Sequence, residues 1–188
     1  RRSVTFAALH VELRRTVSKA HIPALKPKKY SAGHIGNVEL DTHADTFCAG
    51  KNCTPISFTD TVVDVSPYSS QYEPMKNLPV ATVGTLWTHP QTRQNYILVI
   101  NEAIYFGDQL DHSLVNPNQL RHFGIDVFDN PFDHKNPLAI STETCDIPLD
   151  INGTIVSFKT RAPTDEELHS CPHIVLTSDH PWDPHNVV

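Results

Sequence analysis

Asp41 and Thr42 are the residues of this 188-residue chain whose types and placement best suit chemistry. They lie in the segment LDTHADT at residues 40–46, directly after a short apolar run. A carboxylate presented on a turn can act as a general base, and a protonated carboxyl can act as a general acid. Two carboxyls about 3 Å apart do not both ionise easily, so such a pair keeps one proton and can hold a water. Because the sequence shows one such loop, we predict that a homodimer brings two copies of Asp41 together on its two-fold axis.

The elements predicted to position this loop are β-strands. From His34 onward, short runs of β-type residues are divided by turn residues, which predicts a small all-β domain. The predicted strands cover residues 34–40, 59–65, 80–88, 95–105, 153–160 and 173–177. Residues 89–92 have the composition of a hairpin turn, so the third and fourth of these strands are predicted to form a long hairpin.

One short helix is predicted within the core. Asn116 suits the N-cap, Pro117 suits the first helical position and Gly124 suits the C-terminal end, so the helix is placed at residues 117–123. The other connections are predicted to be a loop that could cover a cleft, an irregular surface excursion and a capped helical turn, at residues 66–79, 126–150 and 163–168 respectively.

The two ends of the chain differ in composition from its centre. Residues 1–30 are basic and contain two prolines, which predicts a basic arm or linker, although apolar spacing between Val4 and Val17 is also typical of a helix. Residues 31–178 are predicted to form the folded domain, and residues 179–188 an irregular tail. The net charge of −6 argues against a nucleic-acid-binding domain. For the arm, a solvated tether and a weak RNA contact both stay open.

Neither a cofactor nor a metal is predicted. The 12 histidines are scattered, and the four cysteines lack the two close ligand pairs typical of structural zinc. The thiols are expected to be reduced, and no basic cluster or helix N-terminus marks Cys48 or Cys171 as an activated nucleophile. The sequence contains no run of about 18 apolar residues, so no membrane span is predicted.

Two segments resemble a known family. Residues 40–46 are similar to the loop of retropepsins, which reads hydrophobic-Asp-Thr/Ser-Gly-Ala-Asp-Thr. The segment ILVINEAIY at residues 97–105, followed by LVNPNQL at residues 114–120 and then Gly124, resembles the protease region of copia-type retrotransposon polyproteins. That region has an apolar strand ending in Leu-Tyr, then a Leu-Leu-Ser-Val-x-x-Leu-like helix and a glycine. Order and spacing agree over residues 40–124, and both ends of the chain are unmatched.

The resemblance implies an all-β, retropepsin-like acid protease barrel of a single lobe that is active as a two-fold dimer. Asp41 matches the catalytic carboxylate, and Thr42 matches the residue that locks the two subunits together. Ala44 and Asp45 match the substrate-facing wall, with His43 beside them in the substrate-binding loop. The chain is therefore expected to be an aspartic endopeptidase that needs no cofactor.

The implied substrate is the element's own polyprotein, bound in an extended conformation by backbone pairing. The implied location is cytoplasmic, where a virus-like particle of the element is a further candidate. A flap is expected to close over the substrate and exclude water. Residues 66–79 and the hairpin at residues 83–97 are both candidates for that flap, and the sequence does not choose between them.

His43 departs from the family pattern, which has glycine at this position. A missing side chain lets the substrate backbone approach closely and lets the turn adopt dihedral angles that favour glycine. A histidine there could narrow the cleft, raise the pH of action by tuning the dyad, or mark a copy that no longer cuts. The second hypothesis is therefore a catalytically inactive, retroelement-derived domain for dimerisation or peptide binding.

Overall fold

The computed structural model describes residues 9–12, 33–67, 71–178, 180 and 182–185. In this part of the chain the structure is predominantly β, which confirms the all-β prediction. The strands are β1 (Leu9–Glu12), β2 (Ile35–Leu40), β3 (Cys48–Ala49), β4 (Thr54–Pro67), β5 (Met75–Thr88), β6 (Asn95–Tyr105), β7 (Ser113–Val115), β8 (Asp126–Phe128), β9 (Ala139–Ser141), β10 (Asp146–Pro148), β11 (Asp150–Asn152), β12 (Ile155–Arg161) and β13 (His173–Val175). The α-helices are α1 (Pro117–His122) and α2 (Asp165–Ser170).

Most of the strands belong to one large sheet, in the order β1-β4-β5-β12-β2-β7-β3-β6-β13. β11 pairs with β12 beside this path, and β5 pairs with β6 in addition to its other neighbours. The strands β5, β12, β2, β7, β3 and β6 therefore form a closed ring, because β6 pairs in turn with β5. The apolar side chains that this cycle buries form the main core, which includes Val38, Leu98, Ile100 and Phe158.

Two long hairpins share β5. β5 pairs with β6 from Val80↔Ile104 to Thr88↔Asn95, which confirms the predicted hairpin around residues 89–92. β4 and β5 pair from Thr54↔Gly84 to Val65↔Met75, so much of the predicted loop at residues 66–79 is strand. That loop prediction is wrong at both of its ends because cross-strand pairing overrides the turn-like composition of the segment.

The N-terminal strand β1 contradicts the helix suggested between Val4 and Val17. Residues 9–12 pair antiparallel with Asp64–Pro67 of β4. The outer edge of β4 offers unpaired backbone groups, and pairing with them outweighs a weak helical periodicity. The rest of the suggested helix, and of the predicted basic arm, lies outside the described residues.

The segment predicted to be irregular, residues 126–150, contains a small sheet. β8, β9 and β10 pair antiparallel in the order β10-β9-β8. Val127, Ile140 and Ile147 lie at paired positions and are buried in the main core. Buried apolar residues at the paired positions therefore anchor an excursion that is otherwise mostly polar.

The two helices begin where side chains cap them. In α1, Asn116 accepts a hydrogen bond from the backbone N–H of Asn118, which confirms the predicted cap. The helical turn near residues 163–168 is a second helix, so the prediction of a single short helix is incomplete. In α2, Thr164 and Glu167 form a reciprocal capping box. A bidentate ion pair with Arg161 lowers the pKa of Glu167 to about 2 and ties α2 to β12.

Candidate active site

The loop that carries Asp41 begins at the carboxyl end of β2. β2 pairs in parallel with β7, and Leu40 lies opposite Val115. The backbone N–H of Asp41 continues this pairing by donating to the carbonyl of Val115 at 2.9 Å. One residue further along, the Nδ2 of Asn116 donates to the carbonyl of Ala44 at 2.8 Å. The N-cap of α1 therefore also holds the middle of the loop.

Two further side chains, which the sequence did not single out, fix the end of the loop. Gln119 of α1 is fully buried and its Oε1 accepts a hydrogen bond from the backbone N–H of Phe47 at 2.9 Å. Trp182 is also buried, and its Nε1 donates to the carbonyl of Asp45 at 2.9 Å. The loop is thus clamped by α1 on one side and by the predicted tail on the other.

Asp41 is held in one orientation by its own loop. Its side chain is only 15% exposed. Oδ1 accepts a hydrogen bond from the backbone N–H of His43 at 2.8 Å. Oδ2 is buried and has no hydrogen-bond partner in the described part of the chain. A buried carboxylate oxygen without a partner is costly, so a further group is needed to satisfy it.

The side chain of His43 projects from the loop next to this carboxyl group. The ring is 72% exposed, and its Nδ1 lies 3.6 Å from Oδ1 of Asp41. His43 is not among the described residues with a positive φ, so the turn accepts a histidine without backbone strain. The histidine ring therefore occupies the space in front of the loop, beside the Asp41 carboxyl group.

The other predicted site residues divide into surface and core positions. Thr42 is exposed, and Asp45 is partly buried. The side chain of Ala44 is fully buried in a core cluster that also contains Ile104 and Leu114. A small side chain fills the space beneath the loop here, so the structure does not place the Ala44 methyl group on a substrate-facing wall.

The nearest thiol is unsuited to nucleophilic chemistry. Burial raises the pKa of Cys48, and the neighbouring charges of Asp41 and Asp45 raise it further. Burial likewise raises the pKa of Cys53 to about 11. Both groups are therefore neutral thiols near neutral pH. Among the described residues, no three His, Cys, Asp or Glu side chains are grouped so that they could hold a metal ion.

Comparisons of the chain with protein-family models, with curated proteins and with solved structures found no match. No helix in the described part of the chain is long and apolar enough to cross a membrane. The function of the loop must therefore be inferred from its own residues and contacts.

Proposed function

We propose that the chain is an aspartic endopeptidase of a retrotransposon polyprotein, built as a retropepsin-like barrel of a single lobe. Two copies of Asp41 form the catalytic dyad across a homodimer. The observation that carries the proposal is the state of the Asp41 carboxyl group, in which one oxygen is fixed by a backbone N–H and the other is buried without a partner.

The sheet topology supports the barrel. The strand pairings form a closed cycle from β5 round to β6. The Asp41 loop lies at the end of β2 in this cycle, beside β7 and the start of α1. The contacts from Asn116 and Gln119 come from the part of the chain that also resembles the copia-type protease region. Two separate segments of that resemblance therefore meet in space at one loop.

The chemistry follows from two carboxyls that share one proton. The ionised carboxylate accepts a proton from water as the oxygen attacks the peptide carbonyl, while the protonated carboxyl donates to the carbonyl oxygen. When the tetrahedral intermediate collapses, the first carboxyl gives its proton to the leaving amine, while a hydroxyl of the intermediate returns its proton to the second carboxylate. The buried hydrogen bonds to the loop restrict its motion and so hold the Asp41 carboxyl group in position. Such positioning of a catalytic group contributes strongly to the rate.

Of the two candidate flaps, we propose the region of residues 66–79, and the burial of the alternative hairpin supports this choice. In the alternative hairpin at residues 83–97, Leu86, Trp87 and Ile97 are buried in the sheet. Opening that hairpin would expose apolar core and is therefore costly. Among the described residues between β4 and β5, Tyr72 is 68% exposed. We assign the flap to this region, above a substrate bound in an extended conformation.

Cleavage should depend on the concentration of the protein. Each monomer supplies half of the dyad, so the specific activity should fall as dilution separates the dimers. The test is a mixed peptide library incubated between about pH 4 and pH 7 with a dilution series, with products read by mass spectrometry. Sedimentation at the same concentrations reports the dimer fraction. Specific activity that stays constant while dimers disappear would rule out a shared dyad.

The position of His43 favours a second candidate function, a non-catalytic domain that binds peptides or dimerises. Its exposed ring beside Asp41 Oδ1 lies where a substrate would approach the carboxyl group. If the ring obstructs that approach, His43→Gly should increase cleavage, by roughly tenfold if the obstruction is worth about 1.4 kcal/mol. The same peptide library measures this change, with His180→Gly as a control for loss of an exposed histidine.

The two functions give different results in this comparison. Cleavage by both the natural chain and His43→Gly supports the protease. Peptide binding without cleavage in the natural chain, with cleavage gained only in His43→Gly, identifies a domain in which the histidine has blocked the chemistry. Binding without cleavage in either protein would leave the binding domain as the function.

A further inference from the structure

A small cavity lies where the Asp41 loop meets the two long hairpins. Its volume is about 20 Å³, which is enough for one water or for a group of similar size. The residues that line it come from the loop, β4, β5, β6 and the tail, and they are Thr46, Thr61, Val63, Val80, Glu102, Ile104 and Trp182. Thr46 ends the loop that carries Asp41, and Val63, Val80 and Ile104 belong to the same core cluster as Ala44, so the cavity borders the base of this loop.

Glu102 stands out in this cavity because its backbone is strained. It has a φ of 57°, which is unusual for a side chain other than glycine, asparagine or aspartate. It lies in β6 where the pairing with β5 shifts register between Ala81 and Val83. Such strain persists only where the surrounding structure imposes it, and it is concentrated at functional sites. The bulge brings a carboxyl group to the wall of an otherwise neutral cavity.

The Glu102 carboxylate has no partner among the residues that the structure describes. Within the described residues it accepts no hydrogen bond and forms no ion pair, although the side chain is partly buried. Burial alone raises its pKa. No other titratable side chain is among the residues that line the cavity. A cationic group that entered would therefore meet one unpaired carboxylate together with the hydroxyl groups of Thr46 and Thr61.

We propose that Glu102 is a specificity-determining residue that selects a lysine side chain of the bound peptide. This inference rests on the proposed function, because it places the peptide across the Asp41 loop. An ammonium group is close to water in size and carries three donors, whereas a planar guanidinium needs a wider site. The cavity therefore suits lysine better than arginine. Lysines are available in the chain itself, four of them within residues 1–30.

The test combines binding with cleavage so that the two proposals can fail separately. Synthetic peptides carry lysine, arginine, norleucine or glutamate at each position in turn. Binding is measured by fluorescence polarisation with Asp41→Asn, which binds without cutting, and with the same protein carrying Glu102→Gln. Cleavage of the same peptides is measured with the natural chain and with the single Glu102→Gln variant. Glu143→Gln removes an exposed carboxylate remote in sequence from the loop and serves as the matched control.

At one peptide position, lysine should be preferred over norleucine by roughly tenfold, which is typical of a charge-assisted hydrogen bond. Glu102→Gln should abolish this preference without changing the binding of the norleucine peptide, and Glu143→Gln should retain it. Because burial raises the pKa of Glu102, the carboxyl is protonated in acid. The lysine preference should therefore increase as the pH rises from about 4.5 to 7, whereas the norleucine peptide should show no such trend.

A lysine preference that survives Glu102→Gln would overturn the inference, and so would equal binding of all four peptide types. Selective binding without cleavage would support the role of Glu102 while contradicting the protease. Cleavage without lysine selectivity would support the protease and contradict the role of Glu102. Absence of binding by every peptide would overturn both.

Discussion

Asp41→Asn should reduce peptide cleavage by at least about 10³-fold while leaving the fold intact. Asparagine has nearly the same shape as aspartate, and its amide oxygen can still accept the hydrogen bond that the His43 N–H donates to Oδ1. It cannot ionise, so the pair no longer contains a carboxylate that accepts the proton of the attacking water. The rate is measured on a peptide that the natural chain cuts, and circular dichroism and thermal unfolding report the fold.

Mixed dimers sharpen this experiment. Each site needs both copies of Asp41, so excess Asp41→Asn protein should suppress the activity of the natural chain by drawing it into inactive heterodimers. Excess Glu143→Gln protein should not suppress it. If Asp41→Asn cuts at the same bonds and at a comparable rate, Asp41 is not the catalytic group. If it is inactive but does not suppress, the dyad is not shared between subunits.

The parts of this site that could be predicted from the sequence are those with local signals. An apolar run followed by Asp-Thr indicated a turn at the end of a strand, and Asp41 does follow β2 directly. Asn116-Pro117 indicated the start of a helix, and Asn116 caps α1. In both cases the side chain acts on backbone within a few residues of itself, so the pattern carries the information.

The residues that clamp the loop could not be predicted in this way. Gln119 contacts Phe47 across 72 residues of sequence, and Trp182 contacts Asp45 across 137. A buried glutamine in a short helix and a tryptophan in a Pro-rich tail have no local signature of their partners. Only the sheet, which brings β7 and α1 to the end of β2, defines these contacts. The predicted boundary near residue 179 reflects a change in composition. It does not mark the end of the folded part, because Trp182 is buried in the core.

A buried network of polar side chains that supports the site could not be predicted from the sequence either. Asn52 is fully buried, and its Oδ1 accepts a hydrogen bond from Ser113 Oγ at 2.7 Å. Its Nδ2 donates to Thr160 Oγ1 at 2.8 Å. In the sequence, Asn52 and Ser113 are residue types that are typical of exposed turns. In the fold they join β7, which supports the Asp41 loop, to β12 and to the turn at Gly50, whose N–H donates to Ser113 Oγ at 3.0 Å.

Gly50→Ala should therefore be strongly destabilising. A Cβ at this position would lie 2.5 Å from the carbonyl oxygen of Leu110 and 2.6 Å from that of His112. Both atoms are backbone just before β7, so neither can rotate away as the end of a flexible side chain can. The turn would have to move, and its hydrogen bonds to Ser113 and Leu110 would be distorted. We expect a loss of about 3 kcal/mol or more in the free energy of unfolding.

Urea unfolding followed by tryptophan fluorescence measures this loss, with Gly153→Ala as the matched control. Gly153 has a φ of 64°, and a Cβ added there would meet no other atom. Alanine should therefore lower the free energy of unfolding by only about 1 kcal/mol, through backbone strain. Gly50→Ala should also reduce cleavage at concentrations where it remains folded, because its clash displaces the segment that leads into β7 and so disturbs the support of Asp41. If Gly50→Ala proves no more destabilising than Gly153→Ala, the close packing of this turn against β7 is wrong, and with it the account of how the loop is held.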